Sequence, residues 1–303
     1  MYQLGRAFTA VTLVEGTVHV ARYHALALIR LEQRLHIFWE LDIQRFFLQY
    51  PWLMTQIDRI YSFIHIPGTI LFLAWLYWYT TTRRYSAASP KVYEARRRTM
   101  ATCNLLAFIV FTIWPCMPPR LLSDPNVTGP SGDEARKFGF VDTVHGNGGE
   151  GSVWTQNRFC NQYAAMPSLH FGYSALIGVT VATIPISETK GSLKRWTVRL
   201  RGRSLSARVP NWKRLGCVLI GVTYPSIILI AIIATANHFI LDAVAGAIVC
   251  AVAWMGNRVL LNLLPLEDVF FWCIRTHIPE KYDADSDVDD VDRLQITDKE
   301  AEH

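Results

Sequence analysis

Charge is scarce in this sequence. Only 18% of its 303 residues are Asp, Glu, Lys or Arg, too few for the surface of an ordinary soluble domain of this length. Closely spaced cysteines are missing too. Cys103, Cys116, Cys160, Cys217, Cys250 and Cys273 form no short-range pair, so neither a zinc site nor a disulfide framework is indicated. Cys116 and Cys160 alone fall on one expected side of a membrane, where a bond between them is open. A nucleotide-binding loop is lacking, because the glycine stretch Gly146 to Gly151 has no helix after it at the required spacing. No signal peptide is evident.

What is abundant is apolar: 51% of the residues are hydrophobic. They gather in blocks of about 20, the length a helix needs to cross a hydrocarbon layer of about 30 Å. Five such blocks run from about Ser62 to Thr80, Ala101 to Met117, Ser168 to Ile186, Leu215 to Thr235 and Phe239 to Leu261. The first carries Trp75, Tyr77, Trp78 and Tyr79, which suits a membrane interface. The last two are too long together for one crossing, so the chain turns at Asn237 and His238. In the N-terminal 60 residues Glu15, His19, Arg22 and Arg30 interrupt every apolar stretch. There Leu31 to Tyr50 reads as one amphipathic interfacial helix, with Leu35, Phe38, Trp39, Phe46 and Phe47 on its apolar side. Asp283 to Asp292 is acidic and poor in aromatics, the signature of a disordered tail rather than a Ca²⁺ site. The expected architecture is an all-α polytopic bundle of about five to six transmembrane helices. Residues 1–60 form interfacial helices, 61–265 the membrane domain and 266–303 an acidic cytoplasmic tail.

Two basic loops orient the bundle. One holds Arg83, Arg84, Lys91, Arg96, Arg97 and Arg98, the other Lys190, Lys194, Arg195, Arg199, Arg201, Arg203, Arg208, Lys213 and Arg214. Both are expected in the cytoplasm. Between spanning helices such charge fits contact with anionic lipids better than nucleic acid. The loop Pro118 to Pro167, the start of the third block and the His238 turn then lie on the lumenal or outer face. The glycosylation sequon at Asn126 to Thr128 agrees with that side.

Polar clusters that persist against this background are the places to look for chemistry. They are Pro118-Pro119-Arg120, Pro167-Ser168-Leu169-His170, and Asn237-His238 with Asp242. His238 and Asp242 are four residues apart, a spacing that lets a carboxylate hold one imidazole nitrogen and leave the other as a nucleophile. The helix start beside His238 offers unpaired N–H groups to an anion. His170 can protonate a departing alkoxide. Ser168, Asn237 and the Arg120 fork can hold phosphate oxygens. Each piece has a plainer reading: a His and Asp at that spacing are commonly a structural pair, and Pro-Ser before a helix is an ordinary start signal. His19, His24, His36 and His65 read as packing or interface residues.

PSLH followed about seventy residues later by HFILD resembles the type 2 phosphatidic acid phosphatase superfamily. More narrowly, CMPPRLL, GFVDT, NQYAAMPSLHFGYSALIG and ATANHFILDAVAGA resemble its inositolphosphotransferase branch, which includes fungal inositol phosphorylceramide synthases. The resemblance runs roughly from Phe38 to Leu261. It implies a metal-independent reaction without a cofactor, through a phosphohistidine at His238, with His170 as proton donor and a phosphate pocket that includes Ser168 and Arg120. Vanadate is implied as a phosphate mimic. The substrate implied is a lipid phosphate or phosphoinositide, in an endomembrane (Golgi or ER) or the plasma membrane. The pattern departs in three places: Ile113 stands where classical members carry a Lys, Ile232 where they carry an Arg, and Leu169 where they carry a Gly. Arg120, helped by Arg158, is left to balance the phosphate. The first spanning helix of the superfamily's six-helix core is not evident at the N-terminus: either the sequence is truncated there, or the segment around Ala7 to Ile29 fills that place. The alternative to an enzyme is a membrane scaffold or transporter with a degenerate site.

Overall fold

The computed structural model describes residues 15–82, 88–124, 130–144, 163–186, 195–200, 203–208 and 212–263, with Val269 and Cys273. The sequon at 126–128, Gly146 to Gly151, Arg158, Cys160 and the acidic run 283–292 lie outside them. The chain divides into two units, Met1–Arg258 and Val259–His303, and the first carries every candidate site residue.

That first unit is an all-α membrane bundle. Its helices are α1 (Glu15–Arg34), α2 (Glu40–Leu48), α3 (Pro51–Arg59), α4 (His65–Thr81), α5 (Pro90–Ile113), α6 (Pro130–Arg136), α7 (Leu169–Thr183), α8 (Trp212–Ala234) and α9 (Ile240–Gly256). Among the described residues, three stretches are long and apolar enough to cross a membrane: Pro51–Thr81, Trp212–Ala234 and Ile240–Asn262. α7 is apolar but shorter, and α5 is charged in its first half, through Lys91, Glu94 and Arg96 to Arg98. Outward positions such as Leu71, Ile109, Leu219, Ile248 and Met255 are apolar and exposed, as a lipid-facing surface requires. Within the second basic loop Arg195–Leu200 and Arg203–Arg208 pair as an antiparallel hairpin, a small addition to the helical architecture.

The expected single helix from Leu31 to Tyr50 is broken. α1 ends in a Schellman turn, with Ile37 N–H on the Glu32 carbonyl at 3.0 Å and His36 N–H on Gln33 at 3.2 Å. His36 takes the left-handed conformation at φ 57°, a role usually given to glycine. The facing of α2 also inverts the usual order, because Glu40 and Gln44 are buried while Trp39 and Phe46 are exposed. Gln44 accounts for its burial: Nε2 donates to the Val141 and Ala234 carbonyls at 2.8 and 3.3 Å, and Oε1 accepts from Val141 N–H at 3.1 Å.

α3 runs into α4 through a π-helical turn at Ile60–Ile64. Pro67 explains the irregularity, since it has no N–H to give the preceding turn. The Cys116 thiol is free and buried, set beside the Met117 carbonyl; Cys160, with which a bond was open, lies outside the described residues.

Glycines set the closest helix contacts, as is common where helices pack in lipid. At the α7–α8 crossing a Cβ on Gly178 would run into the Gly221 carbonyl oxygen. At the α7–α9 crossing a Cβ on Gly246 would run into the carbonyl oxygen of Ser168. Both obstacles are backbone, which cannot step aside. Gly246→Ala is therefore expected to destabilise by about 2 kcal/mol or more, whereas Gly216→Ala, with nothing within 4 Å of the new carbon, should be neutral or stabilising by up to about 1 kcal/mol. Thermal unfolding of the two variants in detergent checks the contrast.

Candidate active site

The N-terminal ends of α7 and α9, the C-terminal end of α8 and the segment after α5 meet at one end of the bundle. Cys116 N–H donates to the Tyr163 carbonyl at 2.9 Å, and Ala165 N–H returns to the Cys116 carbonyl at 3.0 Å. This short parallel bridge carries the chain toward Met166, whose peptide with Pro167 is cis, and then to Ser168. Ser168 caps α7: its Oγ accepts from Phe171 N–H at 3.4 Å, and its own N–H donates to the Asp242 carbonyl at 2.9 Å. The start of α7 is thus tied to the start of α9.

The turn from α8 to α9 is fixed just as tightly. Asn237 N–H reaches the Ile232 carbonyl at 3.0 Å and Ala236 N–H the Ile233 carbonyl at 2.9 Å, again a Schellman turn. Here Ala236 occupies the left-handed position, at φ 52°, where an L-residue costs about 1–2 kcal/mol. That strain sits two residues before His238, the kind of place where backbone strain tends to be kept.

His238 is buried, and its ring is held at both nitrogens. Nδ1 lies 2.8 Å from the Ala165 carbonyl oxygen. A carbonyl can only accept, so Nδ1 carries the hydrogen and Nε2 presents its lone pair. Nε2 in turn lies 3.2 Å from His170 Nδ1, which fits His170 as the donor. Asp242 Oδ2 is 3.6 Å from His238 Nδ1, within ion-pair reach of a charged ring but too long for a hydrogen bond. That oxygen instead accepts from Phe239 N–H at 2.8 Å. The bond that orients the imidazole therefore comes from the Ala165 backbone, with Asp242 behind it.

The helix start beside His238 does not offer free amides. Phe239 N–H goes to Asp242, Ile240 N–H to Glu40 Oε1 at 2.7 Å and Leu241 N–H to Glu32 Oε1 at 2.8 Å. Carboxylates of the protein already take the place that was expected for a bound anion, which corrects that reading of the turn.

Arg120 reaches the turn from the 3₁₀ segment Pro119–Ser123. Its backbone N–H donates to the Ala236 carbonyl at 2.9 Å. The side chain donates from Nε to Asn237 Oδ1 at 2.9 Å and from Nη1 to Asp142 Oδ2 at 3.1 Å. Asn237 spends its amide on Thr235 Oγ1 at 2.9 Å, so both ends of Asn237 are engaged and it acts by steering Arg120. Asp142, from the GFVDT segment, partly neutralises the guanidinium.

Sequence reasoning passed over several residues here. His65, buried on α4, has its ring 4.7 Å from that of His170, and Tyr61, within the π turn, has its ring 5.1 Å from that of His170. Glu32 and Glu40 gave no motif signal; two acids in a segment otherwise rich in apolar residues were the only hint. Arg22, seen as an interruption, is only 2% exposed, with no partner for Nη1 among the described residues. Burial pulls its guanidinium down from the ordinary range while Asp124 opposes the shift. His24 is a packing residue, stacked on Trp114 at 3.8 Å and bonded to the Pro115 carbonyl at 2.8 Å.

A family model described as the PAP2 superfamily matches residues 26–190 and 205–256, more than half of the chain and all three site segments. No curated protein and no solved structure matches.

Because Asp142 competes for the Arg120 charge, Asp142→Asn is expected to tighten binding of an oxyanion such as vanadate by about threefold to tenfold, the size of one partly screened charge. Titration of vanadate against intrinsic tryptophan fluorescence of the purified protein measures it; unchanged or weaker binding would separate Arg120 from the anion site.

Proposed function

The chain belongs to the PAP2 superfamily of membrane proteins that act on lipid phosphates, and on that premise we propose that it is an enzyme that moves a phosphoryl group through a phosphohistidine at His238. The observation that carries this reading is the state of His238: Nδ1 is committed to the Ala165 carbonyl at 2.8 Å, and Nε2 presents its lone pair to His170 at 3.2 Å. The substrate phosphorus takes the place of that ring-to-ring hydrogen bond. Nε2 then forms the N–P bond while the P–O bond to the lipid alcohol breaks, and His170 gives its proton to the departing oxygen. Arg120 and Ser168 stabilise the charge on the phosphoryl oxygens. In the second half-reaction an acceptor hydroxyl loses its proton to His170 and attacks the phosphohistidine.

Water as acceptor makes the protein a lipid phosphate phosphatase. An alcohol makes it a transferase, and the motifs CMPPRLL, GFVDT and NQYAAMPSLHFGYSALIG favour an inositolphosphotransferase-like enzyme. In that case the group moved is phosphoinositol, from phosphatidylinositol to a sphingolipid hydroxyl such as that of ceramide. The scarcity of cations favours the same branch, since a phosphodiester donor brings one negative charge where a phosphomonoester brings up to two. The basic loops argue for a reaction on the lumenal or outer face of an endomembrane or the plasma membrane.

Detergent-purified protein should act without added metal. His238→Ala is expected to abolish turnover, His170→Ala to slow it by about 10²–10⁴-fold, and Asp242→Asn to lower kcat with little change in lipid binding. Phosphate release from phosphatidate, run beside transfer from phosphatidylinositol to ceramide, distinguishes the two acceptors. Normal turnover by His238→Ala sinks the mechanism. A scaffold with a degenerate site would give neither activity and no thermal protection by vanadate, whereas an intact site gains about 2.7 kcal/mol at a hundred times Kd.

A further inference from the structure

The first turn of α9 has an unusual cap. Phe239 sits at the N-cap position and has no side-chain acceptor, so the usual Ser, Thr, Asp or Asn cap is missing. Acceptors come from two other helices instead. Glu40, at the start of α2, takes Ile240 N–H, and Glu32, in the last turn of α1, takes Leu241 N–H. Both glutamates are fully buried. The Schellman turn at His36 folds α2 back so that acids eight positions apart in the chain converge on two adjacent amides.

Two buried carboxylates side by side repel one another unless a proton joins them. Among the described residues Glu32 Oε2 and Glu40 Oε2 have no hydrogen-bond partner. Because they cap the adjacent amides of Ile240 and Leu241, the two carboxyls stand side by side, each with its second oxygen still to be satisfied. One proton held between those second oxygens would satisfy both and leave a single negative charge over the pair at the positive end of the α9 dipole.

We propose that Glu32 and Glu40 form a proton-sharing carboxyl pair that positions the His238 turn for reaction, holding the start of α9, and with it the direction of His238 Nε2, against α7. They are positioning residues, since they touch the backbone of the turn and not the reacting atoms. The catalytic consequence rests on the reading of His238 as nucleophile; the structural consequence rests on the hydrogen bonds alone.

The pair also sets a pH limit. Burial and the neighbouring Glu40 carboxylate push the Glu32 carboxyl up to about 9, and burial pushes Glu40 up as well. A folded value above the unfolded one means that the contribution to stability is complete at low pH, declines as pH rises and is gone once pH passes about 9. There the shared proton leaves, and two negative charges stand beside Asp242. The titratable groups facing the pair are Asp242 from the α9 turn and the Cys116 thiol from the segment after α5, with His238 one step beyond, 3.6 Å from Asp242.

The test uses the full chain in detergent, as wild type, Glu32→Gln, Glu40→Gln and Glu32→Ala, with two readouts from about pH 6 to about pH 10. One is the hydrogen-exchange protection of the peptide covering residues 236–243. The other is lipid phosphate turnover resolved into kcat and KM. Gln keeps an acceptor for the helix amide and a donor for its neighbour, but cannot titrate. Wild type should lose protection and kcat together as pH passes about 9. Each Gln variant should keep both at neutral pH and escape the alkaline loss. Glu32→Ala should loosen the peptide at every pH and lower kcat by about 10- to 100-fold, with KM within about twofold. Wild-type protection in Glu32→Ala, or the same alkaline loss in Glu32→Gln, overturns the proposal. The exchange pattern as described, in a protein that turns over no lipid phosphate, upholds the positioning role and defeats the His238 reading instead. Turnover lost in His238→Ala but indifferent to every glutamate variant does the reverse.

Discussion

A helix that starts inside a protein must find acceptors for its first amides, because an unpaired buried N–H costs as much as a lost hydrogen bond. In this chain that requirement falls on α9, whose first residues follow His238 directly. Glu32, Glu40 and Asp242 supply the acceptors, and they come from three separate helices. The consequence is mechanical. α1 and α2 cannot move without moving the turn, and α7 cannot move either, since Ser168 N–H is bonded to the Asp242 carbonyl. The histidine pair is therefore set by a scaffold that ties the N-terminal helices to the starts of α7 and α9.

Much of the fold was legible because lipid imposes a coarse rule on sequence: apolar blocks of sufficient length become helices. The blocks near 62–80, 168–186, 215–235 and 239–261 correspond to α4, α7, α8 and α9, and the forced reversal at Asn237 and His238 lies where the chain turns. Arg120, Ser168, His170, Asn237, His238 and Asp242 were legible as candidates because polar residues stand out in such a background, and the fold gathers all six at one end. The partners of these residues were not legible. The Ala165 carbonyl that holds His238 Nδ1 is a backbone atom and leaves no mark in the sequence. Asp242 sits at the right spacing for the imidazole, but the competing demand of the Phe239 amide takes its oxygen. Glu32 and Glu40 were hidden by the same logic that reads a charged residue as an interruption of an apolar face; α2 buries its polar side and exposes Trp39 and Phe46.

The departures from the superfamily's pattern take on a physical meaning in the structure. Ile113 is 73% exposed, at the end of α5 on the outside of the bundle, so a long cation there would face away from the core. Ile232 is fully buried among Ile228, Ile233 and Ala243, and its carbonyl accepts both Asn237 and His238 N–H. An arginine at that position would need a place for a charge where this protein has packed side chains. The two losses are thus built into the packing around the turn.

Charge balance then bears on the substrate. Among the described residues the cation that reaches the His238 turn is Arg120, and Asp142 holds one arm of it at 3.1 Å, while the anionic carboxyls behind α9 are committed to amides. Among the described residues Arg120 is the permanent cation at this turn, so a doubly charged phosphomonoester would set two negative charges against one guanidinium that Asp142 already shares and the proton that His170 carries as general acid, at a Coulomb cost of several kcal/mol in a partly buried setting. A phosphodiester carries a single charge, which the Arg120 fork can match once Asp142 yields or shares it. The electrostatics of the described residues thus point the same way as the likeness of CMPPRLL and GFVDT to the inositolphosphotransferase branch, the two grounds on which a phosphodiester donor is proposed.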